Sequence, residues 1–350
     1  MATFDKINIT NVKNYWATKE ANRIPYLGET LFPADVKLGI KLEFIKGYNN
    51  APVALMPAAF DESVQLRDKS DASIETTQMP FFREGVRLGE QDRQELLMFE
   101  ETQPMYAEAI ARRVMDDNAG LIESALVNAE IMRMGLLQNG KFKIASVGAN
   151  GKDATYEVDY GATKWAKTNV VTLTGTAKWS DEANADVIKD ITDMVVNAQG
   201  EGVELTRAIC GVKTWRHILN NAKIKQAIQY SGIVTPEQVK AYIYNVTGVQ
   251  VLVYNKQYKG LDGMKHFFFE QEGAFVMLPD GDLGKTWYGS APHAVDAMQG
   301  VAGDTDVEVV ANGVCIFAKH ETAPVNLLFG VEEIVCPSFE AMDSVYKIAY

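Results

Sequence analysis

The sequence predicts an α+β chain of two domains, the first strung along one helix of unusual length. Three observations predict this. A helical apolar period runs from Met105 to Leu137, alternating strand-like runs lie on both sides of it, and mixed helix and strand text fills residues 180 to 300.

The long helix orders the rest. Ile110, Val114, Leu121, Ile122, Ala125, Leu126, Ala129, Met132 and Leu136 recur three or four residues apart, which places them on one side of a helix. Arg112, Arg113, Asp116, Asp117, Glu123, Glu130 and Arg133 are left for the other sides. Pro104 precedes the run, and Gln138-Asn139-Gly140 offers a left-handed stop. A continuous helix here would be about 50 Å long, and Gly120 is its candidate bend. A rod of that length suits a flat, extended structural subunit better than a compact enzyme.

Taken in order, residues 1–59 read as an N-terminal arm followed by first strands. The stretch Tyr26–Pro33 fits either an arm laid on another molecule or a packed tail, while Lys41–Ile45 and Pro52–Met56 are strand candidates. Residues 60–95 are polar and charged, with β-like runs at Ser73–Gln78 and Phe81–Leu88. So little apolar surface predicts a long hairpin or extended loop without a core of its own. Residues 96–179 hold the long helix and a hairpin over 141–160, its strands flanking Asn150-Gly151.

Residues 180–305 read as a second α+β domain. A helix over Asp181–Gln199 is capped by Ser180 or Asp181 and stopped by Gly200. A buried strand at Leu205–Cys210 and a third helix over 213–229 follow, with Trp215, Ile218, Leu219 and Ile228 inward. Thr235, Pro236 and Gln238 spell a capping box for a short helix, Pro236–Tyr244. The apolar runs Val249–Tyr254, His266–Phe269 and Ala274–Leu278 predict a meander. Residues 306–350 return to strand text at Val307–Val310, Gly313–Ala318 and Val325–Val335, and are expected to pair back with the first domain.

Composition narrows the function. The formal net charge of -12, with no run rich in Lys or Arg, argues against reading nucleic acid but suits a container around it. The three cysteines, Cys210, Cys315 and Cys336, are odd in number and widely spaced, which disfavours a disulfide framework or a thiolate zinc site. No signal peptide core opens the chain, and the early apolar run Ala51–Phe60 is too short to span a membrane.

Catalytic text is sparse. Gly284-Lys285-Thr286 resembles the end of a phosphate-binding loop, yet position 279 is Pro where that loop needs Gly, and Trp287-Tyr288-Gly289 does not start a helix. His217, His266, His293 and His320 are scattered and read as packed or surface histidines rather than ligands. No nucleophile elbow, dinucleotide fingerprint or catalytic cysteine signature is present, so no catalytic, cofactor or metal residue is assigned.

The ordered set of motifs resembles the major capsid proteins of lambda-type tailed phages, the capsid protein E family. The residues carrying the likeness are the long helix ending at Gly140-Lys141-Phe142 and the hairpin closing on Val158–Gly161. Trp179-Ser180, the Trp215 helix after the Cys210 strand, and Val249–Tyr254 followed by Tyr258, Gly263, Lys265 and Phe267 continue it. Leu283–Gly289, with Ala294–Ala297 after it, completes the set and gives the false phosphate loop a structural reading.

The resemblance implies a Hong-Kong-97-like capsid fold. Residues 105–137 would be the spine of a peripheral (P) domain, 60–95 an extended loop (E-loop) over a neighbour, 180–305 an axial (A) domain, and 306–350 the return to the P domain. It implies no cofactor and no enzymatic role. Its partners would be further copies of the chain in pentamers and hexamers, a separate scaffolding protein (or a precursor segment removed), a portal protein and a possible decoration protein. The shell would enclose double-stranded DNA without sequence-specific binding or a membrane, and would be assembled in the bacterial host cytoplasm. Some of Arg112, Arg113, Glu123 and Arg133 would face neighbouring subunits. An encapsulin-like nanocompartment shell and, more remotely, a nucleotide enzyme using Gly284-Lys285-Thr286 are the competing readings.

Overall fold

The computed structural model describes residues 8–46, 73–102, 104–147, 153–228 and 234–350. In chain order it contains α1 (Ile9–Ala21), α2 (Leu27–Leu31), β1 (Ala34–Lys37), β2 (Lys41–Lys46), β3 (Ser73–Gln78), β4 (Phe81–Leu88), α3 (Glu90–Thr102) and α4 (Pro104–Asn139). There follow β5 (Lys141–Val147), β6 (Asp153–Asp159), α5 (Ala162–Thr168), β7 (Val170–Thr172), α6 (Val187–Gly200), β8 (Leu205–Cys210), α7 (Val212–Asn220), α8 (Ala222–Ile228) and α9 (Pro236–Thr247). The remainder is β9 (Gln250–Val253), β10 (Gln257–Lys259), β11 (Lys265–Phe267), β12 (Ala274–Pro279), β13 (Thr286–Gly289), α10 (Pro292–Met298), β14 (Thr305–Val310), β15 (Val314–Thr322), β16 (Val325–Pro337) and β17 (Tyr346–Ala349). The expected strand at Pro52–Met56 and the Asn150-Gly151 turn lie outside the described residues.

The chain divides into two compact units. The first comprises Met1–Leu42, Thr76–Met132 and Lys285–Ser338. Its sheet runs β1-β13-β16-β15-β14, with β4 also paired to β16. β16 is the organising strand: one edge pairs with β15 while the other takes β4 over 327–334 and β13 over 334–337. Lined on both edges, it is buried along most of its 13 residues, and its near-continuous apolar text follows from that position.

Of the polar stretch 60–95 the described residues are 73–95, and Ser73–Gln78 and Phe81–Leu88 are strands as expected, though they do not pair with each other. β3 pairs with β2, whereas β4 pairs antiparallel with β16. Local text cannot reveal a partner some 240 positions away, and here it is the opposed charges of Arg83 and Glu332 that match. A helix, α3, then occupies Glu90–Thr102, overlapping the end of the stretch expected to be hairpin or loop. Glu90 and Asp92 in its first turn complement the helix dipole.

The amino-terminal segment packs on its own unit. Asn8 caps α1, which buries Ile9, Val12 and Trp16, and Asp116 of α4 accepts a hydrogen bond from the Tyr15 hydroxyl at 2.6 Å. Lys19 lies 2.9 Å from the same carboxylate. In α2, the Gly28 N–H donates to the buried Glu130 carboxylate at 3.1 Å, and Leu31 and Phe32 are buried. Of the two readings of Tyr26–Pro33, the packed one holds.

The long helix is continuous over 36 residues, about 54 Å, and passes through Gly120 without a break. Its faces differ from expectation at Glu130 and Arg133, which are 0% and 1% exposed. Burial of a charge requires polar partners, and Gly28 supplies one to Glu130 from a segment whose sequence carries no helical period.

The second unit comprises Glu43–Glu75, Arg133–Gly284 and Phe339–Tyr350. Its sheet runs β7-β17-β12-β8-β9, and its core gathers Trp179, Ile191, Ile218, Ile243, Phe275 and Ile348. The expected meander does not form. β9 runs parallel to β8, reached by a crossover through α7, α8 and α9, and β12 pairs with the other edge of β8. β10 and β11 make a separate hairpin.

Three further expectations are corrected here. The second helix begins at Val187, because the Asp186 carboxylate rather than Ser180 or Asp181 caps it. The third helix is two, since buried Asn221 interrupts it: its amide donates to Ala185 O while its oxygen caps Ile224 N. The tail belongs to the first unit only through Ser338. Tyr346–Ala349 enters the second sheet between β7 and β12, and Lys347 donates to Gln138 O at the end of α4. The capping box is as written: Thr235 and Gln238 exchange both hydrogen bonds, although α9 continues three residues past Tyr244 to Thr247 and Gly248 ends it with φ of 75°.

Candidate functional site

Gly284-Lys285-Thr286 is the first place to look for chemistry, and its geometry opposes a phosphate loop. Thr286 opens a strand, not a helix, and is fully buried. Its hydroxyl donates to Phe32 O at 2.8 Å and its N–H to Pro33 O at 2.9 Å. The Lys285 ammonium lies 2.7 Å from Asp35 and over the Trp287 ring. That ammonium holds the Asp35 carboxyl below its usual range, with help from the Val36 N–H. The groups a phosphate would need are thus committed to joining β1 and β13.

The histidines are not gathered in one place. His217 Nδ1 is 2.9 Å from Glu182, His266 Nε2 is 2.9 Å from Asp262, and His293 Nδ1 is 3.0 Å from Glu332, while His320 is exposed on β15. Among the described residues no group of three His, Cys, Asp or Glu side chains is placed to hold a metal, and no helix is long and apolar enough to cross a membrane.

The most developed polar centre is one that sequence reading missed. The Glu332 carboxylate is fully buried on β16 and accepts from Arg83 Nε and Nη2 at 3.0 and 2.7 Å and from the His293 N–H at 2.7 Å. His293 in turn stacks on Phe317 at 4.1 Å. This centre ties β4, β16 and α10 together, which is a structural task. Adjacent Glu332-Glu333 looks in text like a solvated acidic face, and only the strand register reveals otherwise.

What the surface offers is contact area. Of the helix charges expected to face neighbours, Arg112, Arg113 and Glu123 are exposed, and Arg133 is not. In the first unit Ile24, Val36, Leu38, Met105 and Tyr106 are all more than half exposed. In the second, Leu261 is 87% and Met264 63% exposed on the β10–β11 hairpin. These apolar side chains are scattered over the surface and are available as contact area where another molecule covers them.

The comparisons with known proteins agree with that picture. The family model described as phage major capsid protein E matches residues 10–325. A protein assigned as the capsid protein of a prophage of Escherichia coli CFT073 aligns with 98% of this chain and 99% of its own, at 14% identity and a TM-score of 0.59. A phage-related protein of Bordetella bronchiseptica RB50 aligns over 96% of each chain at 12% identity and a TM-score of 0.55. The capsid of cyanophage A-1(L) aligns over 92% of this chain and 91% of that one, at 12% identity and a TM-score of 0.50. No match is found among curated proteins. The fold is therefore that of the Hong-Kong-97-like phage capsid proteins.

Proposed function

This chain belongs to the phage major capsid protein E family, and we propose that it works as the repeating subunit of an icosahedral head shell around phage DNA. The family match over nearly the whole chain carries this reading and favours a phage head over an encapsulin-like compartment. The physical features support it: an unbroken 36-residue helix, apolar side chains open to neighbours, and a Lys285 already paired with Asp35 rather than free for a nucleotide.

In this reading the subunit performs no catalysis. In it α4 is the spine of the peripheral domain, residues 180–305 make up the axial domain, and the extended loop lies within residues 60–95. The shell grows by burying apolar surface at many repeated contacts between copies in pentamers and hexamers. Its formal charge of -12 leaves packaged DNA held by enclosure rather than by specific contacts. Scaffolding, portal and decoration proteins are the further partners proposed, and the bacterial cytoplasm is the place of assembly, with the virion capsid as the destination.

Sedimentation velocity tests this. The purified chain, alone and with a co-expressed scaffolding partner, is expected to yield large particles of uniform sedimentation coefficient in at least one condition. A single slow species in every condition would reject a shell subunit.

A further inference from the structure

We propose that the tip of the β10–β11 hairpin is a self-association site that docks on a second copy of this chain, with an apolar knob at its end and a basic collar behind it. The inference deepens the shell reading and rests on it for the identity of the partner.

The turn is built to hold one shape. Gly260 N–H donates to Met264 O, Gly263 N–H donates to Gly260 O, and the Asp262 carboxylate accepts from Met264 N–H at 2.9 Å. His266 Nε2 stands 2.9 Å from the same carboxylate. Gly263 has φ of 77°, so that position favours glycine. At the base, Tyr258 packs on buried Phe268 with ring centroids 4.8 Å apart. A turn so held pays little further ordering entropy on docking.

What it presents is apolar. Leu261 is 87% exposed, the highest value among the exposed large hydrophobics of the described residues, and Met264 and Phe267 are 63% and 43% exposed. Asp262, the acidic residue of the tip, is turned onto His266, and the Met264 N–H and His266 hold its carboxyl below its usual range. Leu261 and Met264 are thus left as the contacting groups.

The collar selects the partner. Lys259 and Lys265 are direct cross-strand partners, both exposed, and neither has a carboxylate partner among the described residues. Like charges placed opposite each other destabilise a strand pair unless something neutralises them. The chain itself is acidic, at -12, so another copy offers the carboxylates this collar lacks.

The test uses the full chain and two double variants, Leu261→Glu with Met264→Glu, and Lys259→Glu with Lys265→Glu. Circular dichroism and thermal unfolding should be unchanged, since all four side chains are exposed. Sedimentation velocity across a concentration series reads association, expected to weaken on the order of tenfold or more in each variant. Variants that assemble as the parent does overturn the proposal and leave the shell reading intact. Small rings in the parent that are lost in the variants, with no closed shell, support the proposal and reject the shell reading. A parent that stays monomeric at every concentration overturns both.

Discussion

Arg83 and Glu332 sit directly opposite each other in the β4–β16 pairing, with Arg83 Nη2 2.7 Å from Glu332 Oε2. One side of the pair is fully buried and the other is 45% exposed. The contact fixes where the end of the polar stretch 60–95 joins the main sheet of the first unit. Replacing Arg83 by Ala leaves a buried carboxylate held by the His293 backbone N–H and ring. A loss of about 2–3 kcal/mol is expected, less than for a fully buried pair because Arg83 is half open to water. Urea unfolding measures it, and Arg83→Lys should recover part of the loss.

A second prediction concerns acid. Asp186 caps α6 by accepting from Lys189 N–H, and its carboxylate lies 2.8 Å from the Lys223 ammonium. That hydrogen bond, more than any other cause, holds its carboxyl below the usual range. The folded state therefore binds this proton less readily than the unfolded chain. The associated stability is present in full above the unfolded value, ~3.9, and is lost as pH falls through the lower folded value. Asp186→Asn keeps a capping oxygen but removes the charge. Its melting temperature should fall below the parent's at pH 7, and the gap should close in acid.

The three thiols should be inert. Cys210, Cys315 and Cys336 are free and buried, and desolvation pushes Cys210 and Cys315 up to about 12. A thiol-specific reagent at about pH 8 should label none of them in the native chain and all three after unfolding in guanidinium. Rapid labelling of the native protein would mean that one of these strands opens.

Gly211 lies at the start of α7, where a Cβ would fall 2.3 Å from the Gln271 Cα and 2.5 Å from the Glu270 carbonyl oxygen. Backbone atoms have no rotamer to escape into. Gly211→Ala should therefore displace the loop before β12 and cost about 1–3 kcal/mol, read as lower soluble yield and a lower midpoint in urea. Thr235→Ala, which removes the capping oxygen of α9, should cost only about 1 kcal/mol.

Much of this fold is legible in the text because local rules set it. The apolar period of Met105–Leu137 gives α4 to within two residues at its carboxyl end, and Leu205–Cys210, Ser73–Gln78 and Phe81–Leu88 are strands with those bounds. The failures concern partners. Periodicity says which face of a strand is apolar, but not that β4 would seek β16, or that β17 would enter the second unit's sheet. Buried polar residues mislead in the same way. Asn221 looks like one more helical position and Glu130 like a surface charge until tertiary neighbours bring them hydrogen bonds, and Arg133, which also looks like a surface charge, is buried. The interaction tip was hidden for a related reason: Leu261 and Met264 are ordinary apolar letters, and only the folded hairpin shows that nothing in its own unit covers them.

Cryo-electron microscopy of particles formed by the full chain, with and without a scaffolding partner, tests the shell assignment most directly. A head subunit predicts closed icosahedral shells in which each copy carries α4 as one unbroken rod. Monodisperse monomers in every condition, or particles without icosahedral symmetry, would contradict it.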